Sequence, residues 1–120
     1  MGAATFIRWF EDLTGEDVAQ VGGKNASLGE MIGELRAEGV RVPGGFATTA
    51  AAYRAFVDHN DLAPRLAALT AAGSQQERQK QAAALRRAFR RGDVPAAIAG
   101  EIRDAYRELS DRHEQRAVAV

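Results

Sequence analysis

There is no cysteine among the 120 residues, which excludes disulfides, thiolate metal sites and cysteine nucleophiles at once. An excess of charge of either sign is also missing. Sixteen Lys and Arg balance sixteen Asp and Glu, so nothing in the net charge argues for nucleic acid or an anionic membrane as partner. No apolar run approaches the roughly 20 residues of a membrane-spanning helix, and no charged-then-apolar signal segment opens the chain. Histidine is limited to His59 and His113, which lack ligand spacing, so no metal site is expected from these residues. Lysine is scarce as well: Lys24 and Lys80 stand against fourteen arginines. Together these absences read as a cytoplasmic protein.

Several near-miss motifs drop out on inspection. Met1-Gly2-Ala3-Ala4-Thr5-Phe6 opens like a myristoylation site but carries Phe6 where Ser or Thr is required. Asn25-Ala26-Ser27 fits the glycosylation pattern, which has no meaning without secretion. A Walker A loop would need glycine at Val18 and Ser or Thr at Asn25. A nucleophile elbow around Ser27 would need glycine at Asn25.

What is present is globular: 46% apolar and 27% charged residues, enough for one domain, residues 1–120. Thr5 to Phe10 is β-branched and aromatic and predicts a strand, with Phe6, Arg8 and Phe10 on one face and Ile7 and Trp9 on the other. Thr14-Gly15-Glu16-Asp17 resembles a capping box that opens a short helical turn. Leu28, Met31, Ile32 and Leu35 fall at i, i+3, i+4 and i+7, one stripe of an amphipathic helix that ends near Gly39. Pro43 keeps Val40 to Val42 extended, Gly44-Gly45 turns the chain, and Phe46 to Thr48 forms a second short strand. Thr48 or Thr49 caps a helix whose Tyr53, Phe56 and Val57 face inward.

From Asp61 onward the pattern is helical. One helix carries Leu62, Leu66 and Leu69. A second runs from about Gln76 to Arg91 with Ala82, Leu85 and Phe89 inward. A third carries Ile98, Ile102, Ala105, Tyr106 and Leu109. The fold class is therefore α+β, mostly helical with a few short strands. Twenty-five alanines favour helix but build thin cores. Arg86, Arg87, Arg90 and Arg91 lie opposite Leu85 and Phe89, and Glu30, Glu34 and Glu38 step by four; both read as water-facing stripes. The aromatics Phe6, Trp9, Phe10, Phe46, Tyr53 and Phe56 read as core rather than as a base-stacking platform. Ala117 to Val120 reads as the opening of a buried strand, so the chain is expected to be a truncated piece.

The candidate site is Val21-Gly22-Gly23-Lys24, two glycines and a lysine ahead of the first amphipathic helix. A helix start carries unpaired N–H groups and the positive end of the dipole, so it attracts anions. Gly22 and Gly23 allow close backbone approach, and Lys24 adds a mobile charge. The same residues would also serve as a plain turn into a surface helix with a solvated lysine.

Three segments narrow that choice: Phe6-Ile7-Arg8-Trp9-Phe10, Val21 through Met31 (VGGKNASLGEM), and Val42-Pro43-Gly44-Gly45-Phe46-Ala47-Thr48-Thr49. In this order and spacing they resemble the start of the nucleotide-binding region of the phosphoenolpyruvate synthase family (pyruvate, water dikinases). Pyruvate phosphate dikinase and rifampicin phosphotransferase have similar segments. The resemblance implies the N-terminal part of an ATP-grasp type domain, incomplete here, in an enzyme converting ATP, pyruvate and water to phosphoenolpyruvate, AMP and phosphate through a phosphohistidine. It implies ATP as substrate and Mg2+ as cofactor, with magnesium ligands, phosphohistidine and pyruvate barrel all outside this chain, and an oligomeric full-length enzyme. It assigns Lys24 to the nucleotide phosphates and Gly22 and Gly23 to the loop presenting it. Pro43, Gly45 and Phe46 match a motif of structural role. In the family the strand matching Val120 continues into Arg-Ser-Ser, whose arginine also grips phosphate and is not in this chain. By this reading the piece alone is inactive. The alternative is a free-standing nucleotide-binding or docking module built on the same fold.

Overall fold

The computed structural model describes residues 5–112. They form two compact units, one comprising the chain up to Tyr53 together with the segment from Ala96, the other Arg54–Pro95. Among the described residues the architecture is α+β, with a helical majority and one two-stranded antiparallel sheet. No helix among the described residues is long and apolar enough to cross a membrane.

In the first unit, β1 (Ile7–Trp9) pairs with β2 (Phe46–Thr48), Ile7 opposite Thr48, Arg8 opposite Ala47 and Trp9 opposite Phe46. The rings of Trp9 and Phe46 meet edge to face at 5.5 Å, a favoured aromatic cross-strand pair. The strand is shorter than the sequence pattern predicts, because Phe10 leaves it to begin a 3-10 turn (Phe10–Asp12). Its N–H still reaches the Gly45 carbonyl at 3.0 Å, and its ring occupies the space a side chain at residue 45 would fill.

Thr14 then caps a second 3-10 turn (Gly15–Asp17) as expected. Its hydroxyl accepts from the Glu16 N–H at 3.2 Å, and the Asp17 carboxylate accepts from the Thr14 N–H at 2.8 Å. A four-residue helix α1 (Val18–Val21) follows, and the longer α2 (Gly23–Ala37) begins after Gly22. Gly39, at φ +82°, ends α2 in the left-handed conformation that favours glycine.

The buried face of α2 differs from the predicted stripe. Ile32 is buried and Leu28 and Leu35 are half-buried, but Met31 is 46% exposed. The buried line runs instead through Ala26, Gly29 and Ile32. Its cause is steric: a Cβ on Gly29 would stand 2.6 Å from the Leu13 Cβ and 2.8 Å from the Phe10 carbonyl oxygen. Residues without bulk let α2 press onto the turn after β1, and this choice of contact face turns Met31 outward. Leu13, Val21, Ala26 and Ala47 form the core there, with Phe10 packed against them.

The last helix of this unit, α6 (Ala96–Arg112), packs against β1 and buries Ile98, Ala105 and Leu109. Tyr106, predicted inward, is 49% exposed. It follows Ala105 directly, and α6 turns the smaller side chain to the core. The Arg112 guanidinium lies 4.3 Å above the Trp9 ring and pairs with Glu108 at 2.7 Å and Glu11 at 3.0 Å. Those two carboxylates, Glu108 foremost, hold its pKa above the ordinary arginine value. Glu11 also meets Arg36 at 3.3 Å. The pairs are solvent-exposed and each adds little to stability.

α3 (Ala50–His59) carries the division between the units. Thr49, not Thr48, caps it, its hydroxyl accepting from the Ala52 N–H at 3.3 Å. Tyr53, predicted to face the core, is 51% exposed.

The second unit adds α4 (Ala63–Ala71) and α5 (Gln75–Arg91). Val57, Leu62 and Leu85 are its core, lined by Phe56, Leu66, Leu69, Ala88 and Phe89, with the rings of Phe56 and Phe89 stacked at 5.5 Å. Ser74 caps α5 by accepting from the Glu77 N–H at 3.1 Å. Asn60 clamps the turn after α5, exchanging two 2.9 Å hydrogen bonds with the Asp93 backbone. Arg86, Arg87, Arg90 and Arg91 all face water, as do Glu30, Glu34 and Glu38 of α2. His113 and the strand read at Ala117 to Val120 lie outside the described residues.

The contact at residue 29 predicts opposite outcomes for two glycines on one helix. Gly29→Ala should destabilise the chain by about 1–3 kcal/mol through overpacking. Gly33→Ala, where nothing lies within 4 Å of the added methyl, should stabilise it by up to about 1 kcal/mol. Urea denaturation of the two variants checks both signs.

Candidate functional site

The start of α2 is built by α1 and one residue between the two helices. The Gly22 N–H donates to the Val18 carbonyl at 2.8 Å, closing α1, and the Ala26 N–H donates to the Gly22 carbonyl at 3.1 Å, opening α2. Gly22 thus serves both helices, at φ +83° and ψ 162°. That backbone region is essentially restricted to glycine, which explains the residue without any appeal to a ligand. The reversal also places Gly23 and Lys24 inside the first turn of α2, not in a loop ahead of it as the sequence suggests.

That geometry leaves the positive pole of a fifteen-residue helix uncapped. Most helices satisfy an amide there with a Ser, Thr, Asp or Asn side chain. Gly22 has none, and the first turn of α2 contains no acidic residue. The amides of Gly23, Lys24 and Asn25 precede the first helix-closing bond and are the helix's orphan donors. The Asn25 side chain does not compete for them. Its Nδ2 donates backward to the Val21 carbonyl at 2.9 Å, tying the first turn of α2 to the end of α1.

Lys24 is exposed, as are Gly22 and Gly23, while Val21 and Ala26 on either side are buried. A rigid, apolar-anchored base therefore presents one cation and a set of free amides to solvent. Such an arrangement can hold an oxyanion. The site residues predicted from sequence are contiguous, and the fold places them at one helix start. The sequence reading missed Asn25 as a brace. An asparagine i+4 from a helix-ending residue is the signal that could have identified it.

Two surface grooves lie elsewhere, in the second unit. One of about 450 Å3 is lined by Leu69, Ala82, Leu85, Arg86, Phe89 and Arg90, and one of about 300 Å3 by Arg65, Ala84, Arg87, Ala88 and Arg91. Neither includes Lys24. Among the described residues no group of three His, Cys, Asp or Glu is placed to hold a metal ion.

The backbone at residue 22 sets a prediction. Gly22→Ala should destabilise the chain by about 1–3 kcal/mol, because alanine must be forced into that region. Lys24→Ala, at an exposed position, should change stability by less than about 0.5 kcal/mol. Thermal unfolding of both separates the structural role of the glycine from any role of the lysine in binding.

Comparison with known proteins places this helix start in a family. Residues 18–120 match the family described as "Pyruvate phosphate dikinase, AMP/ATP-binding domain". A phosphoenolpyruvate synthase of Neisseria meningitidis serogroup B is 62% identical over 69 residues, covering 58% of this chain and 9% of that protein. One of Pseudomonas aeruginosa is 47% identical over 107 residues, covering 87% of this chain and 14% of that protein. One of Escherichia coli K12 is 38% identical over 122 residues, covering 99% and 15%. The chain therefore spans only a small part, 9% to 15%, of the length of these three relatives. The family match begins at α1 and runs through the Gly22-Gly23-Lys24 turn and all that follows. The chain belongs to the family of pyruvate phosphate dikinase AMP/ATP-binding domains, and the three relatives compared are phosphoenolpyruvate synthases.

Proposed function

We propose that this chain is the N-terminal, nucleotide-phosphate-binding portion of a phosphoenolpyruvate synthase, and that Lys24 with the amides after Gly22 contacts the phosphates of ATP. The observation that carries the reading is the uncapped start of α2, with its only charged side chain a lysine, inside the segment that matches an AMP/ATP-binding domain. In the full reaction ATP, pyruvate and water would become phosphoenolpyruvate, AMP and phosphate, and the nucleotide-binding region would be of ATP-grasp type. Pyruvate would be handled by parts of the enzyme that this chain does not include.

What this chain's residues would do follows from their chemistry. Phosphoryl transfer spreads negative charge over the phosphate oxygens, and a protein lowers the barrier chiefly by positioning and by neutralising that charge. The amides of Gly23, Lys24 and Asn25 donate to oxygens at fixed positions, and the Lys24 ammonium follows the charge as it moves. A carboxylate at this helix end would repel the ligand, and none stands in the first turn. Magnesium is the metal the family implies, but the described residues do not fit it, since they hold no cluster of acidic or imidazole ligands.

One lysine and a few amides cannot supply all the charge stabilisation the reaction needs. The 120-residue chain alone should therefore form no AMP from ATP in response to pyruvate, and should bind ATP only weakly. In a longer polypeptide that does turn over, Lys24→Ala should lower kcat/KM for ATP by roughly 10- to 150-fold, the equivalent of a charged hydrogen bond worth about 1.5–3 kcal/mol. Measuring AMP release with and without pyruvate tests both statements. Turnover by the short chain, or an unchanged kcat/KM in the Lys24→Ala enzyme, would contradict the reading.

A further inference from the structure

Arg8 belongs to the first strand and to the Phe6–Phe10 segment, and its side chain reaches across the whole connection to the candidate site. Its Nη2 donates to the Asp12 carbonyl at 3.1 Å, at the end of the first 3-10 turn. Its Nη1 donates to the Gln20 Oε1 at 2.5 Å, on α1, and lies 3.6 Å from the Asp17 Oδ1, at the end of the second 3-10 turn. The other oxygen of Asp17 is held by the Thr14 N–H. One guanidinium thus ties together the last residues of both 3-10 turns and the body of α1. The pair is partly shielded, with side-chain exposures of 24% for Arg8 and 19% for Asp17.

α1 has only four residues, and a helix that short is not stable on its own hydrogen bonding. Something outside it must hold it in register. The apolar contribution comes from one buried side chain, Val21. Among the described residues, the hydrogen bond from Arg8 to the Gln20 side chain ties α1 to the first strand. Gln20 stands two residues before Gly22, whose carbonyl accepts the first hydrogen bond of α2.

We infer that Arg8 is the positioning residue of the Gly22-Gly23-Lys24 turn: anchored in the sheet, it fixes where α1 ends and hence where the free amides and Lys24 stand. The planar, multi-donor guanidinium is needed because it hydrogen-bonds two acceptors in different directions, Gln20 and Asp12, while pairing by charge with Asp17. Lysine in its place would bring its donors on a single nitrogen and could not reproduce the contacts made by both Nη1 and Nη2. The inference rests on the proposed function only for its consequence, nucleotide affinity; the positioning itself is a property of the fold.

The test is amide hydrogen exchange on the full chain, comparing Arg8→Met and Arg8→Lys with the unaltered protein. The expected result for Arg8→Met is exchange faster by roughly tenfold or more at the Gly22 and Ala26 amides, while amides in the middle of α6, in the same unit, keep their rates. Arg8→Lys should lie between. If the Gly22 and Ala26 rates are unchanged, or if α6 accelerates equally, Arg8 does not position the turn and the inference is overturned. A parallel titration with ATP separates this from the functional reading. Weakened binding in Arg8→Met as well as in Lys24→Ala joins the two. Accelerated exchange with ATP binding indifferent to Lys24→Ala would leave the positioning intact and remove the nucleotide.

Discussion

Helix α2 lies so close to the turn following the first strand that residue 29 has no room for a side chain. A methyl there would sit 2.6 Å from Leu13 and 2.8 Å from the Phe10 carbonyl. The arrangement of the first unit depends on this contact. It decides which face of α2 is buried, sends Met31 to solvent, and brings Ala26 into the cluster of Leu13, Val21 and Ala47. That contact sets the lie of the helix against the turn, and the tie from Arg8 to α1 sets where its start falls. The two together give the amides at the helix start a defined position.

The electrostatic character of that start comes from what is not built into it. The neighbouring capping site shows how this chain satisfies helical amides when it does so, with Thr14 and Asp17 exchanging hydrogen bonds around a 3-10 turn. Five residues beyond Asp17, Gly22 offers nothing of the kind to a much longer helix. A glycine at this end costs stability, though only a few tenths of a kcal/mol relative to a good side-chain cap. In our reading that loss is recovered when an anionic ligand accepts the free donors, so the site is tuned for binding at the expense of the unliganded fold.

Much of this was legible in the residues. Thr14 to Asp17 announced its capping box, Gly39 its left-handed helix end, and Phe46 to Thr48 its strand, because each depends on local chemistry that a few side chains decide. The order and spacing of the motifs around Gly22 and Gly45 also led to the family that comparison returns. What the sequence hid were tertiary choices. Periodicity put Met31, Tyr53 and Tyr106 inward, since counting apolar positions cannot see that Gly29 and Ala105 would carry the contact faces. The reach of Arg8 to Gln20, twelve residues away, left no trace in local pattern.

The central claim is that Lys24 lies against the phosphates of a nucleotide. The scarcity of lysine makes it directly measurable, because Lys24 and Lys80 are the chain's only side-chain amines and both are exposed. The rate at which an amine-specific acetylating reagent modifies each should be followed by mass spectrometry with and without millimolar ATP. The account predicts that ATP slows modification of Lys24 and leaves Lys80, on α5, unaffected. Equal rates at Lys24 with and without ATP, or equal protection of both lysines, would contradict it.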